Sequence, residues 1–133
     1  MKEQVLVDTD ILIDFGRDKT EAVDTMAYLE NEYTIAISVI VAMELCAGCR
    51  SKKELNKIEE MIKDFTLLHI TSPISEKAYD WMKKYRSKHG VEINDMLIAS
   101  TAQYKSIKLI SKNQKHYKFL PDLELLEYPL EGV

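Results

Sequence analysis

The feature that most constrains the fold is a short apolar run, Val5-Leu6-Val7, that ends abruptly in acid at Asp8. A run of this length with β-branched residues is typical of a buried strand, central in a parallel sheet. Ligands of open α/β sheets bind at the carboxyl ends of strands, where the strand order reverses. An ionised carboxylate at such an end costs free energy unless a partner such as a metal ion balances it. The sequence therefore predicts that Asp8 anchors a divalent-metal site.

The rest of the chain alternates between strand-like and helix-like patterns. Further apolar runs predict the remaining strands, at 33–38, 65–70, 107–111 and a short 123–126. Apolar residues with helical spacing predict the helices between them, at 11–16, 20–32, 39–48, 51–64, 75–89 and 95–104. Ser38, Ser51 and Asn94 are the predicted N-caps of the third, fourth and sixth of these helices. Such alternation implies right-handed crossovers. We therefore expect an α/β protein, a three-layer α/β/α sandwich with a central parallel sheet of four to five strands, as one domain over 1–133.

Composition and charge narrow the partners. No apolar stretch approaches the roughly 20 residues that span a bilayer, and the first four residues lead directly into a strand, so we expect no membrane, no signal peptide and a cytoplasmic location. The net charge is −4, yet 77–118 holds ten Lys or Arg against three Asp or Glu. A basic region facing acidic groups suits a phosphate-bearing substrate. Simple solvation of helix faces by these lysines is an equally open interpretation.

Three more polar positions stand out at element ends or on apolar faces. Glu44 interrupts an apolar helix, Asp95 lies in a first helical turn, and Asn113 follows the fourth strand. Strand ends and the following helix starts share one edge of a parallel sheet, so these groups are expected to converge with Asp8. Oxygen ligands without imidazole or thiolate indicate Mg²⁺ or Mn²⁺. Each acid also has a simpler explanation. Asp95 stabilises only the N-terminus of its helix, Glu44 faces solvent, and the Asp10 side chain makes a hydrogen bond within its own loop.

The pair Cys46 and Cys49 forms a C-x-x-C motif. A structural zinc site needs four ligands, and the chain has no second pair. Redox pairs are activated at helix N-termini, whereas this pair falls at a predicted C-terminus near Gly48. We interpret the cysteines as small, half-buried residues. The three histidines show no ligand spacing, so we assign no role to His116.

Four segments taken together, 5–14, 38–45, 93–102 and 109–117, resemble in order and spacing a PIN domain of the VapC type, a toxin ribonuclease. The resemblance implies Mg²⁺-dependent endonucleolytic cleavage of RNA, a homodimer, and inhibition by a small antitoxin. It also implies that Asp8, Glu44 and Asp95 are the acidic metal ligands.

The same resemblance extends to residues around the ligands. Asn113 matches a fourth position that is Asp or Asn in relatives, and leaves fewer charges for a second metal, so one or two ions remain possible. Ser111 stands where Thr is common, and Asp10 where Asn or Asp occurs. We expect Lys112 and Lys115, which flank Asn113, to contact the RNA backbone. The catalytic set is then 8, 44, 95 and 113.

Two other functions are compatible with parts of the sequence. Asp8-x-Asp10 after an apolar strand resembles the nucleophile motif of haloacid dehalogenase-like phosphatases. That family needs Thr or Val two residues after the second Asp, where Leu12 stands here, and a late acidic pair that we do not find. The second alternative is a non-catalytic toxin-like binding module, which a weakened metal site at Asn113 would produce.

Overall fold

A computed structural model describes residues 2–133, which form five parallel strands and seven helices. The strands are β1 Gln4–Val7, β2 Thr34–Ser38, β3 Thr66–Leu68, β4 Lys108–Ile110 and β5 Leu125–Leu126. The helices are α1 Thr9–Gly16, α2 Thr20–Glu32, α3 Val39–Ala47, α4 Lys52–Ile62, α5 Ser72–His89, α6 Ile93–Lys105 and α7 Gln114–Tyr117. The predicted α/β class, with a parallel sheet between helical layers, is confirmed.

The strand order β3-β2-β1-β4-β5 puts β1 at the centre of the sheet. Leu6 pairs with Ala36 on one side and Leu109 on the other, and all three side chains are fully buried. The chain leaves β1 toward β2 on one side and later returns to β4 on the other, so the strand order reverses beside the end of β1. This is where open parallel sheets place their ligands.

Apolar side chains from the sheet and the helices form one core. Ile11, Met26, Trp81 and Met96 pack from four different helices, each at most 3% exposed. Burying an apolar side chain of this size contributes about 1.5–3 kcal/mol. No helix in residues 2–133 is long and apolar enough to cross a membrane.

Several predicted boundaries differ from the structure. Helix α5 begins at Ser72 rather than Ser75, because Pro73 lies in the first turn, where a missing N–H costs nothing. Helix α6 begins at Ile93 with Glu92 as its N-cap, so the predicted cap at Asn94 is wrong. Helix α7 was not predicted, because its four residues are too few to show helical periodicity.

Candidate active site

Asp8 is fixed by backbone on both sides. Its main-chain N–H donates to the Ile110 carbonyl at 3.0 Å, which ties the end of β1 to β4. Its side chain caps α1, with Oδ1 accepting from the Thr9 N–H at 2.8 Å. The residue is 4% exposed. The Asp8 carboxylate is therefore a rigid, nearly buried group at the carboxyl edge of the central strand.

One hydroxyl joins Asp8 to Asp95. The Tyr117 hydroxyl lies 3.0 Å from Asp8 Oδ2 and 3.1 Å from Asp95 Oδ1. Asp95 lies in the first turn of α6, and Tyr117 is the last residue of α7. Two of the three predicted metal ligands thus converge on a single atom from a third element.

Glu44 joins the same network through the neighbours of those two acids. Thr9 Oγ1, next in sequence to Asp8, donates to Glu44 Oε1 at 2.6 Å. Asn94 Nδ2, next in sequence to Asp95, donates to Glu44 Oε2 at 3.3 Å. Glu44 is therefore oriented toward the strand edge rather than left free in solvent.

Ser111 organises the opposite side of Asp8. Its hydroxyl lies 2.7 Å from Asp8 Oδ2 and 3.3 Å from Asp10 Oδ2, and it accepts from the Asn113 N–H at 3.0 Å. The Lys112 N–H donates to Asp10 Oδ1 at 3.3 Å. Asp10 and Ser111 thus lie beside Asp8, where the sequence predicted supporting residues.

The two predicted RNA-contacting lysines occupy different environments. Lys112 Nζ is paired with Asp14 Oδ2 at 2.5 Å, which raises the pKa of the lysine and lowers that of Asp14. Lys115 is exposed, next to α7's first residue. Asn113 is also exposed and makes no side-chain capping bond to α7. Lys115 is the freer of the two to meet a phosphate.

Sequence reasoning missed three groups at the site. Tyr117 and Thr9 bond the predicted ligands directly, and His116 Nδ1 lies 2.9 Å from Asp95 Oδ2. The imidazole is 52% exposed. Their one signal was position, since all three lie inside segments that carried the family resemblance. No pattern rule distinguishes them from ordinary core or surface residues.

The site carries more negative charge than its surroundings offset. Burial, with a smaller contribution from the nearby charge of Asp10, raises the pKa of Asp8 to about 6, although hydrogen bonds from Ser111 and Thr9 oppose the rise. Burial also raises the pKa of Asp10. Burial and the two neighbouring carboxylates raise the pKa of Tyr117, so its hydroxyl stays a neutral donor.

These donors fit a hard divalent cation by chemistry. They are carboxylate oxygens, and the hydrogen-bond partners of Asp8 are a backbone N–H and two neutral hydroxyls, which leave its charge without a cationic partner. Within residues 2–133, no group of three or more His, Cys, Asp or Glu side chains is already arranged closely enough to coordinate one metal ion. The acids hold Tyr117, Ser111 and Thr9 instead. The three-ligand assignment stays a prediction.

The raised pKa of Asp8 predicts how stability depends on pH. Since the folded protein holds this proton more tightly than the unfolded chain, the Asp8 contribution to stability is greatest below about pH 4. It falls as pH rises through about 6 and then stays constant. Two pKa units correspond to about 3 kcal/mol. Denaturant unfolding in chelator at several pH values gives the free energy of unfolding of wild type and Asp8→Asn, and the difference between them isolates the contribution of Asp8. The predicted pH dependence would be contradicted if this difference were the same at every pH.

The cysteine pair lies apart from this network. Both thiols are free, at the C-terminal end of α3, and Cys49 Sγ lies 3.4 Å from the Leu45 carbonyl. Cys49 is half-buried as predicted, but Cys46 is exposed, so the interpretation of both cysteines as half-buried is wrong for Cys46. This is the position at which the helix dipole opposes a thiolate.

Known proteins resemble this chain over nearly its whole length. The PIN domain family matches residues 5–119. Ribonuclease VapC10 of Mycobacterium tuberculosis is 31% identical over 121 residues, which cover 90% of each chain. Ribonuclease VapC19 of the same species is 34% identical over 121 residues, 90% of this chain and 96% of the relative.

A solved structure agrees with the fold. VapBC2 from Rickettsia felis, bound to a DNA fragment from its promoter, superposes with a TM-score of 0.77 at 22% identity, covering 92% of this chain and 96% of that chain. A likeness at this identity concerns the fold alone. The family match and the two relatives carry the assignment: this chain belongs to the PIN domain family and, within it, to the VapC group.

Proposed function

We propose that the protein is a Mg²⁺-dependent endoribonuclease that hydrolyses RNA phosphodiester bonds, and that it is the toxin of a toxin–antitoxin pair. The observation that carries the proposal is the meeting of Asp8 and Asp95 on one hydroxyl at the carboxyl edge of the sheet. The relatives named ribonucleases support the reaction. The match to PIN domains leaves the phosphatase alternative without support.

Asp8, Glu44 and Asp95 would hold the cation, with Mn²⁺ able to replace Mg²⁺. A bound cation of this kind lowers the pKa of a ligand water and offsets charge that develops on the phosphate. Asp8 is held in place by the backbone and by Ser111, so little reorganisation is needed at that ligand.

Residues around the acids would receive the RNA. Lys115 is exposed and supplies positive charge to the phosphate backbone. Lys112 is available to RNA only when it leaves Asp14. The exposed Asn113 side chain would orient a ligand water, a supporting role of the kind that typically matters 10–100-fold.

The function is tested by RNA cleavage with mapped ends, in Mg²⁺ and in excess chelator. Asp95→Asn should lower the cleavage rate by more than about 100-fold, beyond the loss of a supporting group. Asp80→Asn, an exposed change on α5, is the matched control and should cut normally. Undiminished cleavage in chelator would refute the metal mechanism, and absence of cleavage of any RNA by wild type would favour the non-catalytic alternative.

We propose that an antitoxin segment binds a groove beside the site. The groove encloses about 830 Å³ between α1, α3 and α4. Phe15, Leu45, Ile58 and Met61 supply apolar walls, and Glu44 also lines the groove. An apolar peptide segment carrying one basic side chain would fill the groove and pair with Glu44. Solved structures with this fold include a toxin–antitoxin complex and a member of the VapBC family of toxin–antitoxin systems, which supports such a partner.

We also propose a homodimer. Met43 and Ile93 are 55% and 63% exposed, respectively, and each is next in sequence to a member of the Glu44–Asn94 contact. Large apolar side chains that are exposed on two helices in contact with each other, here α3 and α6, are more typical of a protein contact than of a solvated surface. A second copy covering them would also border the active site.

A further inference from the structure

We infer that Tyr117 is a positioning residue, whose buried hydroxyl holds the carboxylates of Asp8 and Asp95 together so that one divalent cation can bind both. The inference rests on the proposed function. It adds a residue that is neither acidic nor a metal ligand, and assigns it a defined effect on metal affinity.

The Tyr117 hydroxyl is held rigidly from behind. The tyrosine ring is fully buried in the main core, and the Leu120 N–H donates to the Tyr117 carbonyl at 3.0 Å. A ring packed at interior density cannot shift its hydroxyl without moving its neighbours. The hydroxyl therefore has a fixed position, and the carboxylates of Asp8 and Asp95, which lie on other elements, are oriented by their contacts with it.

The two acids differ in how firmly they are otherwise held. Asp8 has its helix cap and Ser111 in addition to Tyr117. Asp95 has the Tyr117 hydroxyl at 3.1 Å and His116 at 2.9 Å, and the imidazole is half exposed. Without the hydroxyl, the Asp95 carboxylate would keep only this solvent-exposed hydrogen-bond partner among residues 2–133.

The bridge also opposes a repulsion. Asp8 and Asp95 lie close enough for the charge of one to penalise ionisation of the other. One hydroxyl hydrogen placed between the two oxygens partly offsets this repulsion. If the bridge is removed, the like charges favour separation of the acids, and a cation must then draw them together again at a cost in affinity.

The test is Tyr117→Phe, which keeps the buried ring and removes only the bridge. We expect Mn²⁺ affinity, measured by calorimetry without RNA, to fall by about 10–100-fold, the effect typical of losing a group that orients a ligand. In cleavage assays, the Mg²⁺ concentration for half-maximal rate should rise while the rate at saturating Mg²⁺ is largely recovered. Tyr33→Phe, just before β2 and near Lys108, is the control and should leave affinity unchanged.

A double-mutant cycle separates positioning from a general structural effect. In an Asp95→Asn background, Tyr117→Phe should cause no further loss of Mn²⁺ affinity, because only one acid is left to hold. Unchanged affinity in Tyr117→Phe alone, or equal losses in both backgrounds, would overturn the inference. So would a large fall in the unfolding midpoint of metal-free Tyr117→Phe. Wild-type protein that binds no Mn²⁺ would refute the metal site itself, a distinct result.

Discussion

Asp8→Asn is expected to abolish RNA cleavage and, at neutral pH, to make the metal-free protein more stable than wild type. The two effects share one cause. Asp8 is an almost fully buried carboxylate, and its pKa is raised to about 6, so at pH 7 the folded protein must hold an unfavourable charge. The same charge would attract the cation. Replacing Asp8 by Asn therefore removes both the cation binding that cleavage needs and the unfavourable free energy of the buried charge.

The size of the stability gain follows from the same pKa. A shift of about two units bounds the gain at about 3 kcal/mol, and the loss of charge-assisted hydrogen bonds makes the observed value smaller. Asparagine has the same shape and keeps the bond from the Thr9 N–H. The Ser111 and Tyr117 hydroxyls can rotate to accept from its amide, so no buried polar group is stranded.

Cleavage assays and denaturant unfolding in chelator measure the two effects on the same preparations. Asp24→Asn, an exposed change on α2, is the control and should alter neither. Full activity in Asp8→Asn would refute the metal-ligand assignment. A less stable Asp8→Asn protein would instead show that the carboxylate holds Ser111 and Tyr117 more strongly than its burial disfavours it.

The sequence was enough to predict the central features of the fold because they depend on strong local patterns. Val5-Leu6-Val7 is apolar without alternation, as a strand buried on both faces must be, and it is the central strand. Asp8 at its end then lies at the edge where parallel sheets bind ligands. Ser38 and Ser51 cap helices through their side chains, as predicted.

The parts that could not be predicted depend on contacts across the chain. Asn94 is a residue type that is favoured at helix N-caps, but its side chain donates a hydrogen bond to Glu44, fifty residues away. From the sequence alone, Tyr117 cannot be distinguished from an ordinary core aromatic residue. Its hydroxyl lies between two acids only because α7 packs beside them. Local sequence encodes the conformation of such residues weakly, and it encodes their distant partners not at all.

Mn²⁺ is expected to stabilise the wild-type protein by about 2.7 kcal/mol at a concentration one hundred times its Kd, because it binds the folded state alone. The effect should grow as pH rises from 5 to 7, since a bound cation must displace the proton that Asp8 holds below about pH 6. Thermal unfolding at several pH values measures both trends.

Asp8→Asn separates a specific site from weak binding to an acidic surface. The variant keeps all the other acids of the chain, so nonspecific binding would stabilise it nearly as much as wild type. A shared site requires the shift to become much smaller, because the variant loses a nearly buried carboxylate whose charge is balanced by neutral hydroxyls and a backbone N–H alone among residues 2–133. If Mn²⁺ stabilised both proteins equally, the cation would bind at a site that does not include Asp8, and the proposed metal chemistry would have to be assigned to that other site.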